Sequence, residues 1–383
     1  MSDSEEEDVA LKILHTADWH LGKAFSSFPE KDREKLQLAR MDVIDSILSI
    51  AETHRVDAIL CAGDLFDEPE PKEAWWRELA EKLERSGPNR PIILLPGNHD
   101  PLTDTSVYSA KHPFRQRLPN WVHVVDEDCF ELPLGDNAVV VARPCRRQSG
   151  DDDNALLLPE REPGDTRIRI GLVHGSTFDM EGHQTNFPIA KDAAERRGLD
   201  YLAIGDTHAW REYPPTHAPT VYPSSPEQTS FGERETGYVA VVFFRSDRRP
   251  RVRRERVARW TWRREKVVTL DQLRELAMDR SLRSSVLRLE FDLRVSAQEY
   301  ELADRLIEDL TGNEAKLPRV GVLTLDRSGL VVDTSSIEEV FANLPAVLQA
   351  TVRALKEEEE LNPERAQRAL IHLYRLTRGR AQP

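Results

Sequence analysis

The sequence predicts an α/β domain built on parallel strands, then a smaller α/β unit and a helical end. Three observations predict it. Short apolar runs alternate with helical patterns over the first hundred residues. Each of these runs ends in a polar tip. After Arg264 the alternation of strand and helix patterns starts again in a shorter stretch.

LKILHTAD (11–18) reads as a strand. MDVIDSILSIAETH (41–54) places Val43, Ile44, Ile47, Leu48 and Ala51 on one helical face. DAILCAGD (57–64) is a second strand, EAWWRELAEKLER (73–85) a helix and PIILLPGNHD (91–100) a third strand. This βαβαβ order calls for parallel pairing. WVHVV, NAVVVARP, RIRIGLVHG, YLAIGDTH, GYVAVVFF and RVRRERVARW follow as strands with few long helices between them, so the later half of the domain reads as more antiparallel. KVVTLDQLRELA, SVLRLEFDLRVS, QEYELADRLIEDL and RVGVLTLDR make up a smaller α/β unit at 265–335. The end of the chain reads as two helices broken at Asn362-Pro363. Their apolar stripes are Leu344, Val347, Leu348, Val352 and Leu355, then Ala366, Leu370, Leu373 and Tyr374. The expected divisions are an acidic disordered tail (1–10), a main domain (11–264), the smaller unit (265–335) and the helical segment (336–383).

A chain of 383 residues with 39% hydrophobic and 31% charged residues is a globular protein with a charged surface. No apolar run approaches the ~18 residues that a membrane span needs, and MSDSEEEDVA is the opposite of a signal peptide. A cytoplasmic protein is expected. Cys61, Cys129 and Cys145 fit neither a disulfide framework nor a paired-cysteine zinc site. The net charge of −14 excludes coating of nucleic acid by bulk charge. Base is concentrated instead in one stretch, with ten arginines from Arg245 to Arg264.

Five apolar strands end in metal-type ligands. The first offers Asp18 and His20, the second Asp64, the third Asn98, His99 and Asp100, the fourth His174, and the fifth Asp206 and His208. Alone, each is a common turn or core residue. Together, at the carboxyl ends of strands that share one edge, they gather carboxylates, imidazoles and an amide at the place where α/β sheets bind ligands. Mixed oxygen and nitrogen donors suit Mn²⁺, Fe²⁺ or Zn²⁺, and a shared carboxylate lets two cations clamp a phosphate. Glycine before Asp64, Asn98 and Asp206 is expected to permit tight turns.

DWH, GDLFD, GNHD, VHG and GDTH, in this order, resemble the five motifs of the calcineurin-like metallophosphoesterases. HTADWHLGKAF and VYPSSPEQTSFGERETGYVAVVF (221–243) resemble the Mre11/SbcD DNA repair nucleases of that superfamily more closely. The resemblance is strong over 11–264 and weak beyond. It implies a four-layer α/β sandwich, two mixed sheets flanked by helices, with a capping domain and a C-terminal helical segment. It implies one metal held by Asp18, His20, Asp64 and His208 and a second by Asp64, Asn98, His174 and Asp206, with Asp64 bridging. His99 would steady the scissile phosphate or protonate the leaving oxygen, and Asp100 would orient His99. The cofactor implied is a pair of divalent ions, Mn²⁺ first, with Mg²⁺ or Fe²⁺ as alternatives. The partners implied are DNA, an ABC-type ATPase of the Rad50/SbcC kind gripped by the C-terminal segment, and a second copy of the chain.

Two positions depart from the family pattern. GDTH carries Asp206 where a histidine is usual, a harder ligand that favours Mn²⁺ or Mg²⁺. GDLFD carries Asp67 where some of these nucleases have a histidine, and Asp67 stands outside the expected catalytic set. The arginine stretch reads in two ways. Arg253, Arg256 and Arg259 could contact DNA, with Trp260 and Trp262 stacking on bases. Alternatively, Val252, Val257, Trp260 and Trp262 point inward from one strand and leave arginine on a solvated face. Three functions compete: a two-metal DNA nuclease working with an ATPase in double-strand break repair, a phosphodiesterase for small nucleotide or nucleotide-lipid substrates, and a catalytically weak scaffold. The ~120 residues after the core favour the first.

Overall fold

The computed structural model describes residues 9–177, 185–213, 218–312, 317–333, 345–359 and scattered positions between 361 and 376. The first eight residues of the acidic tail, Leu344, Pro363 and Tyr374 lie outside the described residues. The chain divides into two compact units, Met1–Trp260 and Thr261–Pro383.

In the first unit, β1 (Val9–Thr16), α1 (Glu30–His54), β2 (Ala58–Cys61), α2 (Glu73–Arg85), β3 (Ile92–Leu94), α3 (Pro113–Arg117) and β4 (Val122–Val124) come first. They are followed by β5 (Phe130–Leu134), β6 (Ala138–Ala142), β7 (Ile168–His174), α4 (Ala193–Arg196), β8 (Tyr201–Gly205), β9 (Arg211–Tyr213), β10 (Thr220–Tyr222), β11 (Tyr238–Arg245) and β12 (Pro250–Arg256). One six-stranded sheet has the order β12-β11-β1-β2-β3-β4, the other β5-β6-β7-β8-β10-β9.

Both sheets are mixed. β1 to β4 pair in parallel, β11 pairs antiparallel with β1, and the edge strand β12 pairs antiparallel with β11. In the second sheet β6, β7, β8 and β10 are parallel, and only β5 and β9 run against them. The later strands are more antiparallel than the first four, as expected, in the pairings β1–β11, β11–β12, β5–β6 and β9–β10, while β6, β7, β8 and β10 are parallel neighbours. The crossovers between these parallel strands are mostly irregular chain rather than long helix, which hides their parallel pairing in the sequence pattern.

Side-chain alternation along each strand explains the layers. Ile13, Leu60 and Ile93 face the second sheet, where they meet Val140, Ile170, Leu172 and Tyr201. Leu14, Ile59, Cys61, Ile92 and Leu94 face the helices, against Met41, Ile44 and Ile47 of α1 and Trp76, Leu79 and Leu83 of α2. The far side of the second sheet is covered by Leu158, Ile189, Ala193 and Leu199. Strands buried on both faces read as continuous apolar runs, as these do. α1 starts eleven residues before the expected position 41, because its first turns are polar and add little to the stripe.

The second unit holds a parallel three-stranded sheet of β13 (Thr261–Val267), β14 (Ser285–Phe291) and β16 (Val322–Asp326), and a parallel pair, β15 (Leu293–Val295) and β17 (Leu330–Val332). Its helices are α5 (Leu270–Met278), α6 (Ala297–Thr311) and α7 (Ala346–Glu359). α5 and α6 each begin with a capping box, Thr269 with Gln272 and Ser296 with Glu299. Val352 and Leu370 join Leu273, Leu287, Leu289 and Ile307 in one core, so the C-terminal segment packs on its own unit. Trp262 stands in β13 of this unit, whereas β12 ends at Arg256. Val252, Val257, Trp260 and Trp262 thus do not share one strand. Among the described residues no helix is long and apolar enough to cross a membrane.

Candidate metal centre

The loops after β1, β2, β3, β7 and β8 meet at one edge of the first unit. The loops after β1 and β2 run side by side: the Asp18, His20 and Leu21 N–H groups donate to the carbonyls of Gly63 (3.1 Å), Asp64 (2.9 Å) and Leu65 (2.8 Å). Asp18, His20, Asp64 and His174 are buried, while Asn98, His99, Asp206 and His208 are half-buried. Ligand atoms of Asp18, His20 and His208, of Asp18, Asp64 and His174, and of His20, Asp64 and His99 each lie within 4.8 Å of one another.

Glycines set the spacing. Gly63 has φ +94°, the turn expected of it. Gly97 and Gly205 lie outside the left-handed region and are needed for another reason. A Cβ on Gly97 would overlap the Asp64 carboxylate and backbone N, and one on Gly205 would overlap the Ala62 carbonyl. Lack of room, rather than backbone freedom, excludes side chains there.

The hydrogen bonds leave a face made of acceptors. His174 Nδ1 donates to the Ala62 carbonyl at 2.8 Å, which leaves Nε2 to face Asn98 Oδ1 (2.8 Å), Asp64 Oδ2 (3.4 Å) and Asp206 Oδ1 (3.9 Å). His208 Nδ1 bonds Glu233 at 2.9 Å, and His20 Nδ1 lies 3.1 Å from Asp67 Oδ1. The two Nε2 atoms then face one another at 3.0 Å. Asp18 Oδ1 accepts the Asp206 N–H at 2.9 Å, while its buried Oδ2 has no hydrogen-bond donor. Lone pairs converging on buried space without donors are what a cation satisfies. The donor set therefore fits divalent metal.

The titration behaviour has the same origin. Burial, opposed by His208 and His174 and reinforced by Asp64, pushes the Asp18 pKa up to about 6. Burial alone would lower the His174 pKa, but Asp64, Asp18 and Asp206 push it up to about 10. A proton on His174 takes the place of positive charge that the carboxylates demand.

His99 presents its N–H to Asp64 Oδ1 (2.9 Å), and its Nδ1 bonds the Asp67 carbonyl (3.0 Å). Asp100 does not orient His99, contrary to expectation. Its buried carboxylate accepts from the Phe66 N–H (2.9 Å), the Gly97 N–H (2.9 Å) and the Tyr108 hydroxyl (2.7 Å), so it ties the second and third ligand loops together. Asp67 stands closer to the site than expected, with its carboxylate between His20 and Lys23 Nζ (3.2 Å). Asp206 Oδ2 accepts a hydrogen bond from the Ser176 hydroxyl, which leaves Oδ1 as the oxygen nearest His174.

Arg40 is a residue that motif spacing does not single out. From α1 its buried guanidinium donates to the carbonyls of Asp18 (3.0 Å), Trp19 (2.7 Å) and Glu227 (2.6 Å) and to Ser225 Oγ (3.1 Å). It fixes the first ligand loop from behind.

Arg253, Arg254, Arg256 and Arg259 lie on and just after β12, an edge strand. Arg253 pairs with Glu255 at 2.6 Å, Arg254 stacks 3.9 Å over the Tyr238 ring, Arg256 Nη2 donates to the Trp260 carbonyl at 3.5 Å, and Arg259 lies 3.5 Å from Asp42. Trp260 is buried, which removes it as a base-stacking surface.

A family model for calcineurin-like phosphoesterases matches residues 11–210, the stretch that carries every candidate ligand. The chain belongs to that family. A subunit of the nuclease SbcCD of Bacillus subtilis is 37% identical, with the match covering 61% of this chain and 65% of that protein. An uncharacterized metallophosphoesterase, YhaO, of the same organism is 26% identical over 60% of this chain and 57% of the relative. The DNA double-strand break repair protein Mre11 of Methanopyrus kandleri is 26% identical over 58% of this chain and 50% of the relative. The chain thus spans half to just under two thirds of the length of these relatives.

Proposed function

We propose that this calcineurin-like phosphoesterase is a two-metal DNA nuclease that acts in double-strand break repair with an ATPase of the Rad50/SbcC kind. The observation that carries the hydrolytic part is the face of lone pairs around Asp64, with Asp18 Oδ2 buried and undonated. The DNA substrate and the ATPase rest on likeness to the relatives named for the nuclease SbcCD and for Mre11.

In this reading Asp18, His20, Asp64 and His208 would hold one cation and Asp64, Asn98, His174 and Asp206 the other. Bound divalent ions supply Lewis-acid polarisation of the phosphodiester and a water of lowered pKa. Mn²⁺ is the ion that the mixed set with an extra carboxylate favours, ahead of Mg²⁺ or Fe²⁺. His99, whose Nδ1–H donates to the Asp67 carbonyl, would steady the scissile phosphate or, carrying a second proton on Nε2, would pass that proton to the leaving oxygen. Asp67 and Glu233 hold His20 and His208 in place. Asp100 keeps the loops of Asp64 and His99 in register. Arg253 and Arg259, whose side chains are more than half exposed, would exchange their present partners for phosphates, with Arg256 beside them.

A capping role for 265–335, an ATPase grip by 336–383, a homodimer and a cytoplasmic setting complete the proposal. The three unpaired cysteines are in keeping with that setting. The test is hydrolysis of linear duplex and hairpin DNA with Mn²⁺, Mg²⁺ and Zn²⁺ in turn, beside a chromogenic phosphodiester. Cleavage of DNA that depends on Mn²⁺ is expected. Turnover of the small diester with no DNA cleavage would replace the nuclease with a small-substrate phosphodiesterase, and no turnover of either would leave a scaffold.

A further inference from the structure

The segment between β10 and β11 comes back to the edge where the ligands meet. The Ser225 N–H donates to the His208 carbonyl at 3.0 Å, so this segment holds the His208 backbone. The ring is held by the same segment. Glu233 Oε1 bonds His208 Nδ1 at 2.9 Å, and the Glu233 side chain is only 17% exposed, which shields that bond from water. Thr229 fixes the carboxylate in turn: its N–H donates to Oε2 at 2.8 Å and its hydroxyl donates to Oε1. The Gln228 side-chain amide donates to the Glu233 carbonyl at 3.2 Å and the Ser230 carbonyl at 2.6 Å, closing the loop on itself.

An imidazole can carry its proton on either nitrogen and can flip about its axis. A carboxylate on Nδ1 selects the tautomer with Nδ1–H and a lone pair on Nε2, and fixes the ring plane. Here that lone pair faces the side where Asp18 and His20 present their own ligand atoms. The negative charge behind the ring also makes Nε2 a stronger donor to a cation. We propose that Glu233, braced by Thr229, is a positioning residue that sets the tautomer and orientation of His208 and thereby the affinity of one cation site. The inference rests on the reading of His208 as a ligand.

Calorimetric titration of the metal-free protein with Mn²⁺ tests it, on the parent and on Glu233→Ala, Glu233→Gln, Thr229→Val and His208→Ala. Nitrogen-15 NMR of the His208 ring in the metal-free protein reports the tautomer directly. Glu233→Ala should weaken one of two sites by about 10–100-fold, with the other within about threefold, and should lose the bias to Nδ1–H. Glu233→Gln, whose amide oxygen still accepts from Nδ1, should keep the tautomer and lose less affinity. Thr229→Val should lose least, and His208→Ala should weaken the same site at least as much as Glu233→Ala. Should Glu233→Ala fail to fold, the Gln and Val variants carry the same ordering. Weakening by His208→Ala with no change in the Glu233 and Thr229 variants would overturn the positioning role while keeping the ligand. No change in His208→Ala would overturn the ligand reading, and the positioning role with it.

Discussion

Replacing Asp18 by asparagine should make the metal-free protein more stable while removing most of what a metal adds. Asp18 is fully buried, its Oδ1 accepts from the Asp206 N–H, and its Oδ2 has no donor. A buried acceptor left unpaired costs about 1–3 kcal/mol. Burial, against the opposing His208 and His174, moves the pKa from 3.8 to about 6, a shift that corresponds to roughly 3 kcal/mol once the group is ionised. The two figures largely describe one penalty, so the expected gain is about 2–3 kcal/mol rather than their sum. Asparagine keeps Oδ1 for Asp206 and offers an amide N–H to the neighbouring acceptors. The folded pKa lies above the unfolded one. Asp18 therefore penalises folding least below about pH 4, and the penalty grows as pH rises through 6. The advantage of Asp18→Asn should be full at about pH 8 and shrink markedly at about pH 5. At about 2–4 °C per kcal/mol for a unit of this size, the melting temperature should rise by about 4–12 °C. Melting followed by circular dichroism in EDTA and in Mn²⁺, at both pH values, reads this out. A metal-free variant that melts below the parent at the higher pH, or that gains as much from Mn²⁺ as the parent does, would refute the reasoning.

Asp64→Ala removes the carboxylate assigned to both cations and should abolish metal binding and hydrolysis together; two ions retained per chain by atomic absorption would show that Asp64 is no bridge. His99→Ala should keep the metal content and lower turnover by roughly 10²–10⁴-fold, as for loss of a positioned acid; parallel loss of metal would make His99 a ligand, a role that its place with His20 and Asp64 allows. Asp206→Ala should weaken one of two sites, and Asp206→His should keep both while shifting preference toward Zn²⁺. Equal metal affinity in Asp206→Ala and the parent would make Asp206 a bystander.

The strand tips are legible in the sequence because the strands are buried on both faces. A run such as Ile59–Leu60–Cys61 has no polar alternation to blur it, so the change to Gly63 and Asp64 is abrupt. The short strands β5, β9 and β10 are not legible, because few residues carry their pattern and two of them stand at sheet edges. Arg40 has a usable signal. It lies four residues after Leu36 and four before Ile44, a charge within a buried stripe, and such a charge has to find several acceptors. Glu233 has none, since its partner is 25 residues away, beyond β9 and β10, and no period connects them. Asp100 defeats sequence reasoning because adjacency to His99 along the chain is not contact. Its side chain points back into the loops instead, where Phe66, Gly97 and Tyr108 supply donors.

Asp18, His20, Asp64 and Asp206 all adopt positive φ, at 56°, 43°, 54° and 104°. Such conformations cost a residue with a Cβ of order 1–3 kcal/mol each, and glycine would adopt them freely. A stretch whose task was only to leave a strand would therefore be better served by glycine. The loops after β1 and β2 hold this conformation because their N–H groups go on pairing past the strand ends, from Asp18 to Gly63 and from His20 to Asp64. Behind them Arg40 clamps the carbonyls of Asp18 and Trp19. Of the ten non-glycine positions with positive φ among the described residues, four carry the acidic or imidazole side chains of this site, which argues that the side chains are what these four positions are kept for. Without a cation the cluster is both strained and short of donors, and the same residues become mutually satisfied once positive charge stands between them.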